Sequence, residues 1–209
     1  MDLQYHGANC VVLSNKDFRV VVDDNLEEIG LKSVIRPDDT VLFTARYNKL
    51  SVNPRLLIDQ PGEYEVANLS VIGIAAQGHT DTAGAHTATM YKIMVDDTNY
   101  FFTGHIYSDL NDDQLEAIGV VDVMFVPIGG NGYTLDATGA LQLIKKIEPK
   151  LVIPTHYADK DIRYPVEQQN LDQALKNLGM EPKETITKLR FKSVEALSGT
   201  TQLVILNRT

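Results

Sequence analysis

Three of the five histidines in this 209-residue chain follow apolar, strand-like runs and lie in polar or glycine-rich segments: His79, His105 and His156. Loops after strands are where functional side chains concentrate, and the neutral imidazole ring is a common ligand of divalent metals. One loop histidine alone is typical of a solvated side chain, but three at strand ends favour a shared site. His6 is interpreted as structural, and His86 as a solvated loop residue that could substitute for His79.

A second chemically suggestive feature is the segment Gly129-Gly130-Asn131-Gly132-Tyr133, which follows a strand-like run and precedes a helical pattern. Backbone N–H groups in such a segment can bind an anion at the start of the helix. A tight turn that needs positive φ explains the same glycines. Both interpretations stay open.

The elements that position these residues begin with short β-runs. The first hundred residues contain no convincing long helix and show β-branched enrichment between turn signals. The predicted strands here are Phe18 to Val22, Val41 to Thr44, Leu69 to Ile74, and a hairpin formed by Met90 to Val95 and Asn99 to Thr103.

The second half alternates strands and helices. Apolar spacing predicts a helix over 137–147 behind the candidate cap Thr134, and another over 171–178 that ends at Gly179. Apolar runs at 121–127 and 151–154 are typical of strands buried on both faces, and a final strand is predicted at 202–206. Together these patterns predict one α/β domain, residues 1–209, built as a four-layer αββα sandwich rather than a Rossmann sheet.

Composition excludes several classes of function. The chain has 19 Lys and Arg against 28 Asp and Glu, a net charge of −9, which argues against binding to nucleic acid. Its single cysteine, Cys10, permits neither an internal disulfide nor a cysteine-based zinc cluster and is interpreted as a packed core thiol. The start of the sequence lacks a signal-peptide pattern, and no window approaches the ~20 apolar residues of a membrane span. We therefore expect a cytoplasmic protein with no membrane partner.

Five short motifs occur in an order that resembles the metallo-β-lactamase superfamily over nearly the whole chain. The resemblance is greatest to the small, single-domain prokaryotic branch described as zinc-dependent hydrolases, and it implies the same αββα fold. In that family an H-x-H-x-D-H loop after a strand helps to hold two zinc ions around a bridging hydroxide. The motifs are Tyr5-His6-Gly7-Ala8-Asn9-Cys10, Pro61-Gly62-Glu63-Tyr64-Glu65, Thr103-Gly104-His105, Pro127-Ile128-Gly129-Gly130 and Pro154-Thr155-His156-Tyr157.

The metal-binding loop itself departs from the family pattern. After the strand that ends at Thr44, the resemblance assigns the four ligand positions to residues that are not usual zinc ligands. The family's Gly-Asp, whose carboxylate bridges the metals, corresponds to Gly104-His105, whereas two family histidines are retained as His79 and His156. The four degenerate positions are Ala45, Tyr47, Lys49 and Leu50.

A comparison of electrostatic and binding energies indicates how this departure affects metal binding. An ammonium at Lys49 about 5 Å from a zinc ion would be repelled by ~6–7 kcal/mol at an effective dielectric constant of ~20. A full structural zinc site gains only ~10–16 kcal/mol. We therefore expect no two-metal site. The resemblance leaves at most one zinc or other divalent metal on His79, His105 and His156, which would match the three ligands and one water of catalytic zinc.

Cations near the lost metal positions suggest a different ligand. If the family fold holds, Arg46 and Lys49 lie on the loop at the mouth of the site, where they could bind a phosphate or carboxylate together with N–H groups of Gly129 and Gly130. The alternative interpretation is that Arg46 and Lys49 are two solvated charges on the rim of the loop. Three functions stay open: a non-hydrolytic binder of a small anionic molecule, a mononuclear hydrolase of an ester, lactone or phosphodiester, and a structural protein. A homo-oligomer is compatible with each.

Overall fold

The computed structural model describes residues 1–47, 49–66, 68–190, 197 and 199–209. Fourteen strands, three α-helices and one 3-10 turn (Leu26–Ile29) lie in these ranges. The helices are α1 (Asp112–Ile118), α2 (Ala137–Ile147) and α3 (Leu171–Leu178). The strands in chain order are β1 (Asp2–Gly7), β2 (Cys10–Ser14), β3 (Arg19–Val22), β4 (Thr40–Leu42), β5 (Leu56–Ile58), β6 (Gly62–Val66), β7 (Leu69–Ala76), β8 (Ala88–Val95), β9 (Thr98–Phe102), β10 (Val123–Pro127), β11 (Leu151–Thr155), β12 (Glu184–Ile186), β13 (Leu189–Arg190) and β14 (Gln202–Leu206).

The strands form two sheets. The six-stranded sheet has the order β13-β1-β2-β3-β4-β5, and the eight-stranded sheet has the order β12-β14-β11-β10-β9-β8-β7-β6. In the larger sheet the pairs from β6 to β9 are antiparallel and those from β9 to β12 along the sheet are parallel. The predicted mixed α/β fold with two sheets is confirmed.

Residues that alternate along the six-stranded sheet pack on its two opposite faces. Val11 and Leu13 of β2 join a large apolar cluster that also contains residues of the eight-stranded sheet and of all three helices. Cys10 and Val12 belong to a smaller cluster that includes Leu26 of the 3-10 turn. Among the described residues, one short 3-10 turn with adjoining loops covers this outer face.

Local signals explain where the helices begin and end. Helix α3 ends at Gly179, whose φ of +68° is easily adopted by glycine, as predicted. The predicted cap of α2 at Thr134 is wrong, because the Asp136 side chain accepts the Gly139 N–H at 2.8 Å. Thr134 is instead buried, and its hydroxyl has no hydrogen-bond partner in the described part of the chain. Helix α1, which the apolar spacing did not reveal, carries a capping box formed by Asn111 and Gln114.

Two further predictions concern the burial of Cys10 and the presence of membrane-spanning helices. Cys10 is fully buried, as expected for a packed thiol, and burial raises the pKa of that thiol. None of the helices in the described ranges has the length and hydropathy needed to span a bilayer.

Candidate functional site

The candidate site lies where strands of both sheets reach their carboxyl ends. Asp23 directly follows β3, and Thr44 lies two residues after β4. His105 lies three residues after β9, and His156 directly follows β11. Parallel strands deliver such residues to the same edge, where polar side chains of different strands can meet.

His105 and His156 are in direct contact. Their ring centroids lie 4.6 Å apart with the planes at 85°, an edge-to-face arrangement. His105 Nδ1 lies 3.3 Å from the Tyr133 carbonyl oxygen, and His156 Nδ1 lies 3.1 Å from Gln168 Oε1. Because both partners are acceptors, each Nδ1 carries the proton and each Nε2 keeps its lone pair.

Burial keeps both imidazoles uncharged. It lowers the pKa of His105 to about 4, against the opposing hydrogen bond from the Tyr133 carbonyl. It also lowers the pKa of His156 to about 3, with the neighbouring His105 as a second cause. His156 is only 2% exposed. Both rings are therefore neutral at pH 7.

The backbone around His156 is tightly constrained. Its φ is +52°, a left-handed value that is unusual for a residue with a side chain, and its N–H donates to the Ala8 carbonyl at 2.7 Å. A Cβ at Gly129 would lie 2.1 Å from the His156 carbonyl oxygen. Gly129 thus permits close packing against His156, and the Gly130 N–H donates to the Leu135 carbonyl at 3.0 Å within its own turn. The structure therefore favours the turn interpretation of these glycines over the anion-binding one.

His79 lies beside the pair without completing a cluster of ligands. Its backbone N–H donates to the His105 carbonyl at 2.9 Å, and its ring stacks on Tyr107 with centroids 5.3 Å apart. Its Nδ1 is buried and has no hydrogen-bond partner among the described residues. Across the described ranges, no three His, Cys, Asp or Glu side chains are grouped so as to hold a metal ion.

The positions that the family resemblance assigns to the metal-binding loop are partly packed against apolar residues and partly exposed to solvent. Tyr47 packs on Phe43 with ring centroids 4.9 Å apart, and Tyr47 and Leu50 lie against the smaller apolar cluster. Burial, together with Glu28, raises the pKa of Tyr47. The Lys49 side chain is 80% exposed, and its Nζ lies 3.7 Å from Glu28.

Asp23 is a site residue that the sequence reasoning did not identify. Its carboxylate accepts the Thr44 N–H and the Thr44 hydroxyl, both at 2.7 Å, and so holds the start of the degenerate loop. Burial raises the pKa of Asp23 to about 6, although the two bonds from Thr44 oppose this. A Cβ at Gly104 would lie 2.3 Å from Thr44 Oγ1. The sequence feature that could identify Asp23 is its position directly after the apolar run Val20 to Val22.

Two cavities adjoin this loop. They share Ala45 and Arg46, and the Arg46 guanidinium makes no hydrogen bond or ion pair with any residue in the described ranges. The smaller cavity, of about 190 Å³, is lined by Asn9, Asp23, Asn25, Glu28, Phe43, Thr44, Ala45, Arg46, Tyr47, His105 and Tyr133. The larger cavity, of about 450 Å³, is lined by Ala45, Arg46, Asp59, Gln60, Pro61, His86, Thr87 and Thr89.

The structure thus separates the four candidate anion-binding residues. Arg46 lines both cavities, whereas Lys49, Gly129 and Gly130 are absent from the described linings of either one. His86, interpreted from sequence as a solvated residue, is exposed and lies on the wall of the larger cavity.

Comparisons with known proteins agree with this architecture. A family model described as a β-lactamase superfamily domain matches residues 2–156. A UPF0173 metal-dependent hydrolase of Thermoplasma volcanium is 26% identical over 150 residues, which cover 65% of this chain and 59% of that protein. Another from Thermoplasma acidophilum is 43% identical over 51 residues, or 23% of this chain and 22% of the relative. The matches therefore span less than two thirds of either curated relative.

Solved structures share the fold over the full chain. A crystal structure from Thermotoga maritima, named as a zinc-dependent hydrolase of the metallo-β-lactamase superfamily, has a TM-score of 0.75 at 20% identity and covers 99% of this chain and 98% of that one. A metallo hydrolase from Ignicoccus hospitalis has a TM-score of 0.62 at 15% identity, covering 99% and 94%. At these identities the likeness establishes the fold.

Proposed function

Because the chain belongs to the β-lactamase superfamily, we propose that it uses this fold to bind a small organic anion beside Arg46 and lacks a two-metal hydrolytic centre. The observation that carries the proposal is the Arg46 guanidinium, which has no partner among the residues that the structure describes and lies on the wall shared by two cavities. A guanidinium binds carboxylate or phosphate through two parallel hydrogen bonds.

The residues at the superfamily's ligand positions support the loss of the two-metal centre. Ala45 and Leu50 have no donor atom in their side chains, and Tyr47 packs against Phe43. Lys49 adds a positive charge that is mostly solvated. These side chains do not fit a two-metal centre, and His105 offers one nitrogen where the family has a bridging carboxylate.

The larger cavity has the polar groups that an anion needs. His86 supplies a hydrogen-bonding side chain near Arg46, and among the described lining residues Asp59 is the one carboxylate. Thr87 donates its hydroxyl proton to Asp81 at 2.6 Å, so this proton is not available to an anion. In the larger cavity Arg46 therefore faces a wall with few negative charges, although the chain as a whole is acidic.

The test removes one charge at a time. Isothermal titration calorimetry with tag-free protein would measure binding of inorganic phosphate, acetate and benzoate to wild type, Arg46→Gln and Arg55→Gln. We expect Arg46→Gln to weaken binding about 10-fold or more, the effect of losing a charged hydrogen bond. Arg55 is an exposed arginine that is absent from the described linings of both cavities, so Arg55→Gln is the matched control and should bind like wild type. Equal losses in both variants would show that only the net charge of the protein matters and would contradict the proposal.

One specific observation favours a second candidate, a mononuclear metal-dependent hydrolase. The Nδ1 atoms of His105 and His156 both face oxygen acceptors, which leaves the Nε2 lone pair on each of two rings that are in contact. Such outer hydrogen bonds orient metal-ligating histidines. The relatives named as metal-dependent hydrolases are consistent with it. Elemental analysis of tag-free protein after dialysis against zinc decides between the two candidates. One retained equivalent that is lost in His156→Ala would replace the metal-free proposal with this one.

A further inference from the structure

Four of the eleven described residues that line the smaller cavity have aromatic rings, and they form two contacts. Phe43 and Tyr47 pack together with centroids 4.9 Å apart, and His105 meets Tyr133 edge-on at 5.2 Å. All four of these residues line the cavity, together with Arg46. We propose that this cavity binds a single aromatic ring of the anionic ligand, with the carboxylate or phosphate of that ligand on Arg46. This inference rests on the proposed anion site.

The volume of the cavity limits the size of the ring. A cavity of roughly 150 Å³ is known to accommodate benzene, and this one measures about 190 Å³. One six-membered ring with its carboxylate therefore fits, whereas a fused bicyclic ring with its carboxylate would need the whole of this volume at the packing density of protein interiors. Aromatic walls favour a planar ring over a saturated one because offset and edge-to-face contacts add to the burial of apolar area.

The carboxylates on the wall of this cavity are already engaged by other groups. Asp23 accepts two hydrogen bonds from Thr44, and Glu28 lies 3.7 Å from Lys49 Nζ. Arg46 is the cation on this wall without a partner in the described ranges. An aromatic anion thus places its charge on Arg46 and its ring among the four aromatic side chains.

The first arm of the test compares three carboxylates on the wild-type protein by calorimetry. Benzoate has one aromatic ring, cyclohexanecarboxylate has the same charge without planarity, and 1-naphthoate has a second fused ring. We expect benzoate to bind about 5-fold more tightly than cyclohexanecarboxylate, from the aromatic contacts, and more tightly than 1-naphthoate. Equal affinity for the first two, or a preference for 1-naphthoate, would overturn the inference.

The second arm changes one wall of the cavity. Tyr47→Leu should lower the affinity for benzoate about 5-fold and leave cyclohexanecarboxylate binding unchanged, whereas Tyr47→Phe should keep wild-type affinity for both. Tyr107→Leu, an exposed tyrosine outside the described lining of this cavity, is the matched control and should have no effect. If Tyr47→Leu does not fold, the ligand series and Tyr47→Phe still decide.

The two proposals fail in different ways. If all three carboxylates bind equally and Arg46→Gln weakens them all, the ring pocket is wrong and the anion site stands. If the wild type binds none of them, the anion site fails and the ring pocket fails with it.

Discussion

The carbonyl oxygen of His156 and the α-carbon of Gly129 approach so closely that no side chain fits between them. A Cβ at position 129 would lie 2.1 Å from that oxygen and 2.2 Å from Gln168 Oε1. The same Gln168 atom lies 3.1 Å from the His156 ring. Gly129 therefore permits both the backbone turn at His156 and the hydrogen bond that orients its imidazole.

Gly129→Ala should lower the free energy of unfolding by about 3 kcal/mol, since either the His156 backbone or Gln168 must move. Urea denaturation at pH 7 measures this change. The control is Gly132→Ala, where φ is +72° but no described residue beyond its two chain neighbours lies within 4 Å of the added Cβ. It should cost about 1 kcal/mol, from backbone strain alone. Equal costs at both positions would contradict the close approach.

Asp23 makes a stability contribution that declines as pH rises. Its pKa is about 6 in the folded chain and 3.8 when unperturbed, so the folded state binds the proton more tightly. Stability from this group is therefore fully present below pH 3.8 and is lost as the pH rises through 6, with a fall of about 2 kcal/mol between pH 4 and pH 7. Asp23→Asn removes the titration, so its unfolding free energy should rise relative to wild type across that interval. A constant difference between the two proteins from pH 4 to 7 would show that the carboxyl pKa is not raised.

The histidine pair should act in the opposite direction. Because the pKa of His105 falls from 6.5 to about 4 on folding, its stability contribution is complete above pH 6.5 and is lost as the pH falls toward 4. Between pH 7 and pH 5 this loss amounts to about 2 kcal/mol for His105. His105→Phe keeps a ring at the site and should reduce the acid sensitivity of wild type by that amount, measured by urea denaturation at both pH values. An unchanged pH dependence would mean that the ring is accessible to water.

Helix α2 offers a local test of capping. Asp136→Ala should cost about 1 kcal/mol because the Gly139 N–H loses its acceptor. Thr134→Val removes a buried hydroxyl that lacks a partner in the described part of the chain, so stability should stay the same or rise. Thermal unfolding followed by circular dichroism compares the two variants. A greater loss in Thr134→Val would restore Thr134 as the cap.

Local sequence patterns predict the strands and helices whose formation depends on residues close in the chain. Apolar runs gave the strands that become β10, β11 and β14, and helical spacing gave α2 and α3. The position of three histidines at strand ends predicts that His79, His105 and His156 converge. The rings of His105 and His156 are in contact, whereas the ring of His79 stacks on Tyr107.

Contacts between segments that are distant in the chain cannot be predicted from these local patterns. The bond from Thr44 to Asp23 joins the ends of two strands, and the close approach of Gly129 to His156 joins two loops. Neither leaves a periodic pattern in the chain. The orientation of Lys49 toward Glu28 likewise depends on the fold, which is why Lys49 was grouped with Arg46 from sequence alone.

The packing of Tyr47 and Leu50 against the smaller apolar cluster has an evolutionary consequence. Histidines at these two positions would recreate part of a metal-binding loop, but they would also replace apolar side chains that help to cover the outer face of the six-stranded sheet. Each such substitution alone exposes part of that cluster before any metal can compensate, since a binding site needs several ligands together. Introducing metal ligands at these positions therefore leads through less stable variants, so folding itself constrains the sequence of this loop.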